Sequence, residues 1–150
     1  MGLDMYLTAR RYVSEFSDKE LSTNLNKVAE GVRKGYEIQF ITVEAMYWRK
    51  ANAIHQWFVN NVQNGVDDCQ NYPVTSKQLR KLISTIEDVL ENQVNPAEVL
   101  PSSTGFFFAS SEYNERYFDD LKRTRQGLIN LLDDLGDGDW IWQYFYQSSW

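Results

Sequence analysis

The chain owns one cysteine, Cys69, and one histidine, His55, in 150 residues. A single thiol forms no intrachain disulfide, so a disulfide-stapled secreted scaffold is excluded. With one imidazole, one thiol and scattered carboxylates the ligand set is weak, and neither a metal site nor a cofactor is expected. No apolar run approaches the length of a membrane span. The start, "MGLDMYLTARR", lacks the basic opening and apolar stretch of a signal peptide. Tyr6 stands where a myristoylation pattern needs Ser or Thr. The expectation is a cytoplasmic protein with no membrane partner.

Positive charge is also short. Fifteen Lys and Arg face 21 Asp and Glu, for a net charge of −6, and there is no long basic run. Neutralising a nucleic acid backbone takes a basic surface. No nucleic acid polymer is therefore expected as partner, whereas a small anion held by two or three local cations fits the composition. The chain has no GxSxG elbow, no Walker loop and no GxGxxG after a strand. Cys69 sits in "NGVDDCQ", where the acidic neighbours raise a thiol pKa and work against a nucleophilic role.

Aromatic residues, by contrast, are abundant. Five Trp, nine Tyr and eight Phe make 15% of the chain. They supply stiff contact area for a core, an interface or a stacking pocket. At this length the chain makes one domain, 1–150, with enough residues for a sizeable core.

Hydrophobic periodicity divides the chain into elements. "GLDMYLTARRYV" alternates and predicts a strand near 3–12. Residues 14–35 are polar with a weak helical pattern and read as a surface helix or a loop. "YEIQFIT" predicts a strand at 36–42, and a long helix is expected to open around Thr42 to Glu44 and run to Val62. The turn-rich "QNGVDDCQNYP" follows. Thr75 with Gln78 is a capping-box signature, and Leu79, Leu82, Ile83, Ile86, Val89 and Leu90 form the apolar stripe of the next helix. "NPAEVLPSSTG" reads as loop because of Pro96 and Pro101. "FFFASS" reads as a strand or a wall of the core. The clearest helix is capped by Ser110 or Ser111 and ends at Gly136. "DWIWQYFYQ" predicts a strand at 139–147 with two heavy faces, central in a sheet or at an interface. Together these elements predict an α+β fold, a small and mostly antiparallel sheet against three or four helices.

On a continuous helix, Tyr47, Ala51, Ile54 and Phe58 share the core stripe, with Arg49, Ala53 and Gln56 opposite. Glu44, Trp48, Asn52, His55 and Val59 then line one edge beside the core. Such an edge offers a stacking plate, an amide and an imidazole to a planar polar ligand. Equally, Asn52 and His55 can satisfy buried polar groups. Arg10 and Arg11 can clamp a phosphate or be a solvated strand end. Ser110 and Ser111 can offer a helix start to an anion or serve as caps alone. Arg49 and Lys50 complete the candidate ligand-binding set. Glu44 and His55 are about three turns apart on that helix, too far for one acid–base unit.

"MGLDMYL", "YWRKANAIHQWFV" with "DDCQNY", "LPSSTGFFFASSEYNERYFDDLK" and the closing "YFYQSSW" resemble a family of small phage and prophage proteins. The resemblance covers nearly the whole chain apart from residues 14–35 and implies an origin without an activity. It implies an accessory factor acting on the host. The residue set suits one kind of such factor, an anti-defence sponge that sequesters a small nucleotide-derived immune signal, working as a homodimer. The alternatives are a phosphodiesterase- or glycohydrolase-type enzyme using His55, and a protein–protein inhibitor of a host factor.

Overall fold

A computed structural model describes residues 2–16, 18–102, 113–136 and 140–150. The fold is α+β, with four antiparallel strands and five helices among the described residues. The order is β1 (Asp4–Tyr12), α1 (Lys19–Glu30), β2 (Phe40–Arg49), α2 (Asn52–Asn61), β3 (Tyr72–Val74), α3 (Ser76–Leu90), α4 (Pro96–Val99), α5 (Glu115–Leu135) and β4 (Trp142–Ser149). In space the sheet runs β2-β1-β4-β3.

The alternation in β1 does what period two requires. Leu3, Met5, Leu7 and Ala9 are buried. They join Trp48 of β2, Val74 of β3, Tyr144 and Tyr146 of β4, and the apolar faces of α2, α3 and α5 in one core. The β4 strand is central, bonded to β1 on one side and β3 on the other. Its heavy faces are not both covered. Tyr144, Tyr146 and Ser148 are buried, while Gln143 and Gln147 on the other face are exposed. Thr75 and Gln78 form the expected capping box of α3.

Three elements differ from the sequence reading. The expected helix over 42–62 is two elements, a strand to Arg49 and a helix from Asn52. β2 is built from β-branched and aromatic residues, "FITVEAMYWR", which suit a pleated surface. Its alternation is hidden by a bulge: Leu7 pairs with Met46 but Thr8 pairs with Glu44, leaving Ala45 as the extra residue. The turn-rich stretch before α3 contributes β3, a three-residue edge strand that tolerates Pro73. Residues Pro96–Val99 of the expected loop form one helical turn capped by Asn95.

α1 settles the choice left open for residues 14–35. Asp18 caps its start by accepting from the Leu21 N–H. α5 starts at Asn114, which caps Tyr117 N–H, and stops at Gly136 with φ 79°. The expected caps Ser110 and Ser111, and "FFFASS", lie outside the described residues. No described helix is long and apolar enough to cross a membrane.

Candidate functional site

The chain leaves β2 and enters α2 through Lys50, whose φ of 56° is left-handed and uncommon for a residue with a Cβ. Its N–H donates to Leu3 O at 2.8 Å, which pins the corner to the start of β1. Ala51 is the N-cap of α2 and supplies no side-chain hydrogen bond. The start of a helix carries the positive end of the helix dipole, and here no side chain of the cap residue offsets it. The first helical amide bonded along the backbone is His55 N–H, to Ala51 O at 3.0 Å.

These residues open on a cleft between the starts of α2 and α5. Lys50, Ala51, Asn52, Ala53 and Ile54 form one wall, and Asn114, Arg116, Tyr117, Asp120 and Leu121 the other, with Ser102 at the rim. Its cavity volume is about 40 Å³, room for a small group of atoms only. Arg116 donates to the Arg49 carbonyl at 3.1 Å, so its cation is fastened across the cleft to the end of β2. Tyr117 donates to Leu100 O at 2.8 Å, and burial pushes its phenol well up. Burial also raises the Asp120 carboxyl, against the lowering effect of Arg123 and Arg116. Two cations and the positive end of a helix favour a small anion, and the Asp120 carboxylate on the wall opposes it.

The fold separates the residues picked out by sequence. Lys50 and Asn52 line the cleft. Arg49 points to the opposite face of the sheet, where it lies 4.0 Å from Asp4. Trp48 is fully buried; its indole N–H donates to Thr124 Oγ1 at 2.8 Å and its ring packs against Phe58. The predicted helix edge through Glu44, Trp48, Asn52 and His55 does not exist, because its first two members are on a strand. Arg10 and Arg11 are adjacent on β1, so they point to opposite faces and form no common clamp. Arg11 pairs with Asp18 at 3.1 Å. Arg10 stacks between Phe40 and Phe145, 4.7 Å from each ring centre. It is seven residues up β1 from Leu3, or about 23 Å from the cleft corner.

His55 is fully buried on the next turn of α2. Its Nδ1 lies 2.7 Å from the Tyr146 hydroxyl and its Nε2 3.2 Å from Asp67 Oδ1. Asp67 Oδ1 also accepts from the Trp150 indole at 3.2 Å. Burial lowers the His55 pKa more than Asp67 raises it. A neutral ring that accepts from Tyr146 at Nδ1 fits this arrangement, with Nε2 close to Asp67 but outside hydrogen-bond geometry. Of the readings weighed for His55, the one as a partner of buried groups matches this geometry. Cys69 is exposed, and its carbonyl accepts from Gln147 Nε2 at 2.9 Å.

Sequence reasoning missed Arg116, Asn114 and Asp120, which lie in what reads only as a well-capped helix start. The available signal was Ala51, a poor cap at the head of a helix beside Lys50. Among the described residues no group of three His, Cys, Asp or Glu side chains gathers to hold a metal ion. Compared with known proteins, the chain matches no family model, no curated protein and no solved structure.

Proposed function

We propose that this protein is a binding module that captures a small nucleotide-derived ligand by its anionic end in the cleft between α2 and α5. The observation that carries the reading is the uncapped start of α2 opening between Lys50 and Arg116. The positive end of α2 would face phosphate oxygens, with the two cations on either side. Asn52 would read a polar edge. Trp48 supplies no stacking plate, since it is sealed in the core.

In a phage accessory protein acting in the host cytoplasm, such capture amounts to sequestration of an immune signal. A trap-and-release experiment tests it. The protein is mixed with cyclic dinucleotides, ADP-ribose derivatives and common nucleotides, washed, and heat-denatured before mass spectrometry. Recovery of a panel member intact is the expected result. Recovery of an altered product would make the protein an enzyme, with Asp120 as the first acid to test. If no panel member is retained, the reading is wrong.

A further inference from the structure

The sheet face opposite the core carries Tyr6, Thr8, Arg10 and Tyr12 of β1, the register partners Tyr47, Glu44, Thr42 and Phe40 of β2, and Gln147, Phe145 and Gln143 of β4. Aromatic surface runs through its middle. Tyr6 packs on Tyr47, Tyr12 on Phe40, and the Arg10 guanidinium lies between Phe40 and Phe145. Yet Tyr12, Phe40 and Tyr47 remain 57%, 46% and 38% exposed.

The charges on this face are few and balanced. Asp4 accepts from the Tyr47 hydroxyl and neighbours Arg49. Arg10 is half-buried, its Nε is sealed from water, and no hydrogen bond or ion pair reaches it among the described residues. Glu44 is exposed and likewise has no ion pair among the described residues. Arg10 lies opposite Thr42, two residues from Glu44 on β2, so the two are diagonal neighbours about 7 Å apart at their backbones. The Arg10 guanidinium stacks on the Phe40 and Phe145 rings and makes no ion pair with Glu44.

We infer that this face binds a second copy of the chain, sheet to sheet about a two-fold axis, with Arg10 of each copy meeting Glu44 of the other. Among the described residues Arg10 and Glu44 lack ion pairs on a single patch, which a self-complementary contact satisfies. Arg10, Arg49, Asp4 and Glu44 sum to zero, so the net charge of −6 lies elsewhere and does not oppose the approach. A neutral aromatic face is also a poor seat for a polyanion such as single-stranded nucleic acid. Three strands of 9, 10 and 8 residues present roughly 15 Å by 30 Å. Two such corrugated faces bury on the order of 1,000 Å² or more, the lower bound for a specific pair. The inference does not depend on the cleft.

The test is sedimentation over a concentration series, with melting curves to check folding. Wild-type protein should dimerise, with a Kd on the order of micromolar for a patch of this size. R10E sets acid against acid and E44R sets cation against cation, so each alone should be monomeric. Mixed one to one, they should pair, since each then meets its complement. If R10E fails to fold because Arg10 is stacked, E44R at an exposed position still decides the question. A wild-type monomer at every concentration overturns the inference. So does a dimer that survives E44R unchanged, as pairing through the β2 edge would. Saturable binding of an oligothymidylate probe abolished by F145A would hand the face to nucleic acid instead.

Discussion

The hydroxyl of Tyr146 sits 2.7 Å from Nδ1 of His55, joining two residues 91 positions apart in a region sealed from water. The Tyr146 ring also stacks on Phe58, with centres 4.0 Å apart and planes 6° from parallel. One side chain of β4 thus ties the sheet to α2 both by a hydrogen bond and by ring contact. Asp67 extends the link to the loop after α2, and Ser148 reaches the neighbouring Asp68 carbonyl at 3.4 Å. The lone histidine is a fastening between the sheet, the helix and that loop.

Tyr146→Phe keeps the stack and leaves Nδ1 of His55 without its donor. It should cost about 1–3 kcal/mol in denaturant unfolding, the penalty of an unmet buried polar group. His55→Ala removes both links and opens a cavity, so its cost should exceed that of Tyr146→Phe. Equal stability of Tyr146→Phe and wild type would show that the bond contributes nothing.

Stability should also depend on pH through His55. Burial holds its folded pKa below the ordinary value of 6.5, so at intermediate pH the unfolded chain binds more protons than the folded one. The stabilisation is fully present above about pH 6.5 and is lost as pH falls toward the folded value. Melting curves from pH 8 to 5 should show that decline, and His55→Gln should flatten part of it. A wild-type decline unchanged in His55→Gln would assign the dependence to other groups.

Thr124 accepts from Trp48 Nε1 and donates to the Asp120 carbonyl at 2.6 Å, within α5. Thr124→Val keeps the shape and strands the indole N–H. The expected loss is about 1–2 kcal/mol, with a blue shift of tryptophan emission if water stays out. Loss of fold altogether would mean that the Trp48–Thr124 bond determines how α5 docks on β2.

The first strand, α3 with its capping box and the last strand were legible because their apolar residues keep one period without interruption. β2 was not. A single bulged residue at Ala45 shifts the phase of the alternation, and the alanines at 51 and 53 then extend an apparent helical pattern backwards. That error moved Trp48 and Glu44 onto a helix edge they do not share with Asn52 and His55. Of the candidate site, Lys50 and Asn52 were reachable because they are local to one corner. Arg116 and Asp120 were not, because only the fold brings α5 against that corner.

The cap at Ala51 allows stability and binding to be separated. Ala51→Ser supplies a hydroxyl for the first amides of α2 and should stabilise the protein by about 0.5–1.5 kcal/mol. The same hydroxyl competes with the anion, so affinity should fall. Asp120→Asn should do the opposite for binding, removing a like charge from the wall and raising affinity a few-fold. A variant set in which affinity simply follows stability would argue against an anion at this helix start.

The most direct test is a ¹⁵N–¹H NMR titration with pyrophosphate, comparing wild type with Lys50→Gly. Glycine suits the left-handed corner at position 50, so the fold should hold or gain slightly while the ammonium is lost. In the wild type, shifts should concentrate at the amides of Asn52, Ala53 and Ile54 and at Arg116, and in Lys50→Gly they should weaken at least several-fold. Shifts centred on Arg10 or Arg11 with the α2 start unmoved, or the same titration in both proteins, would contradict the account.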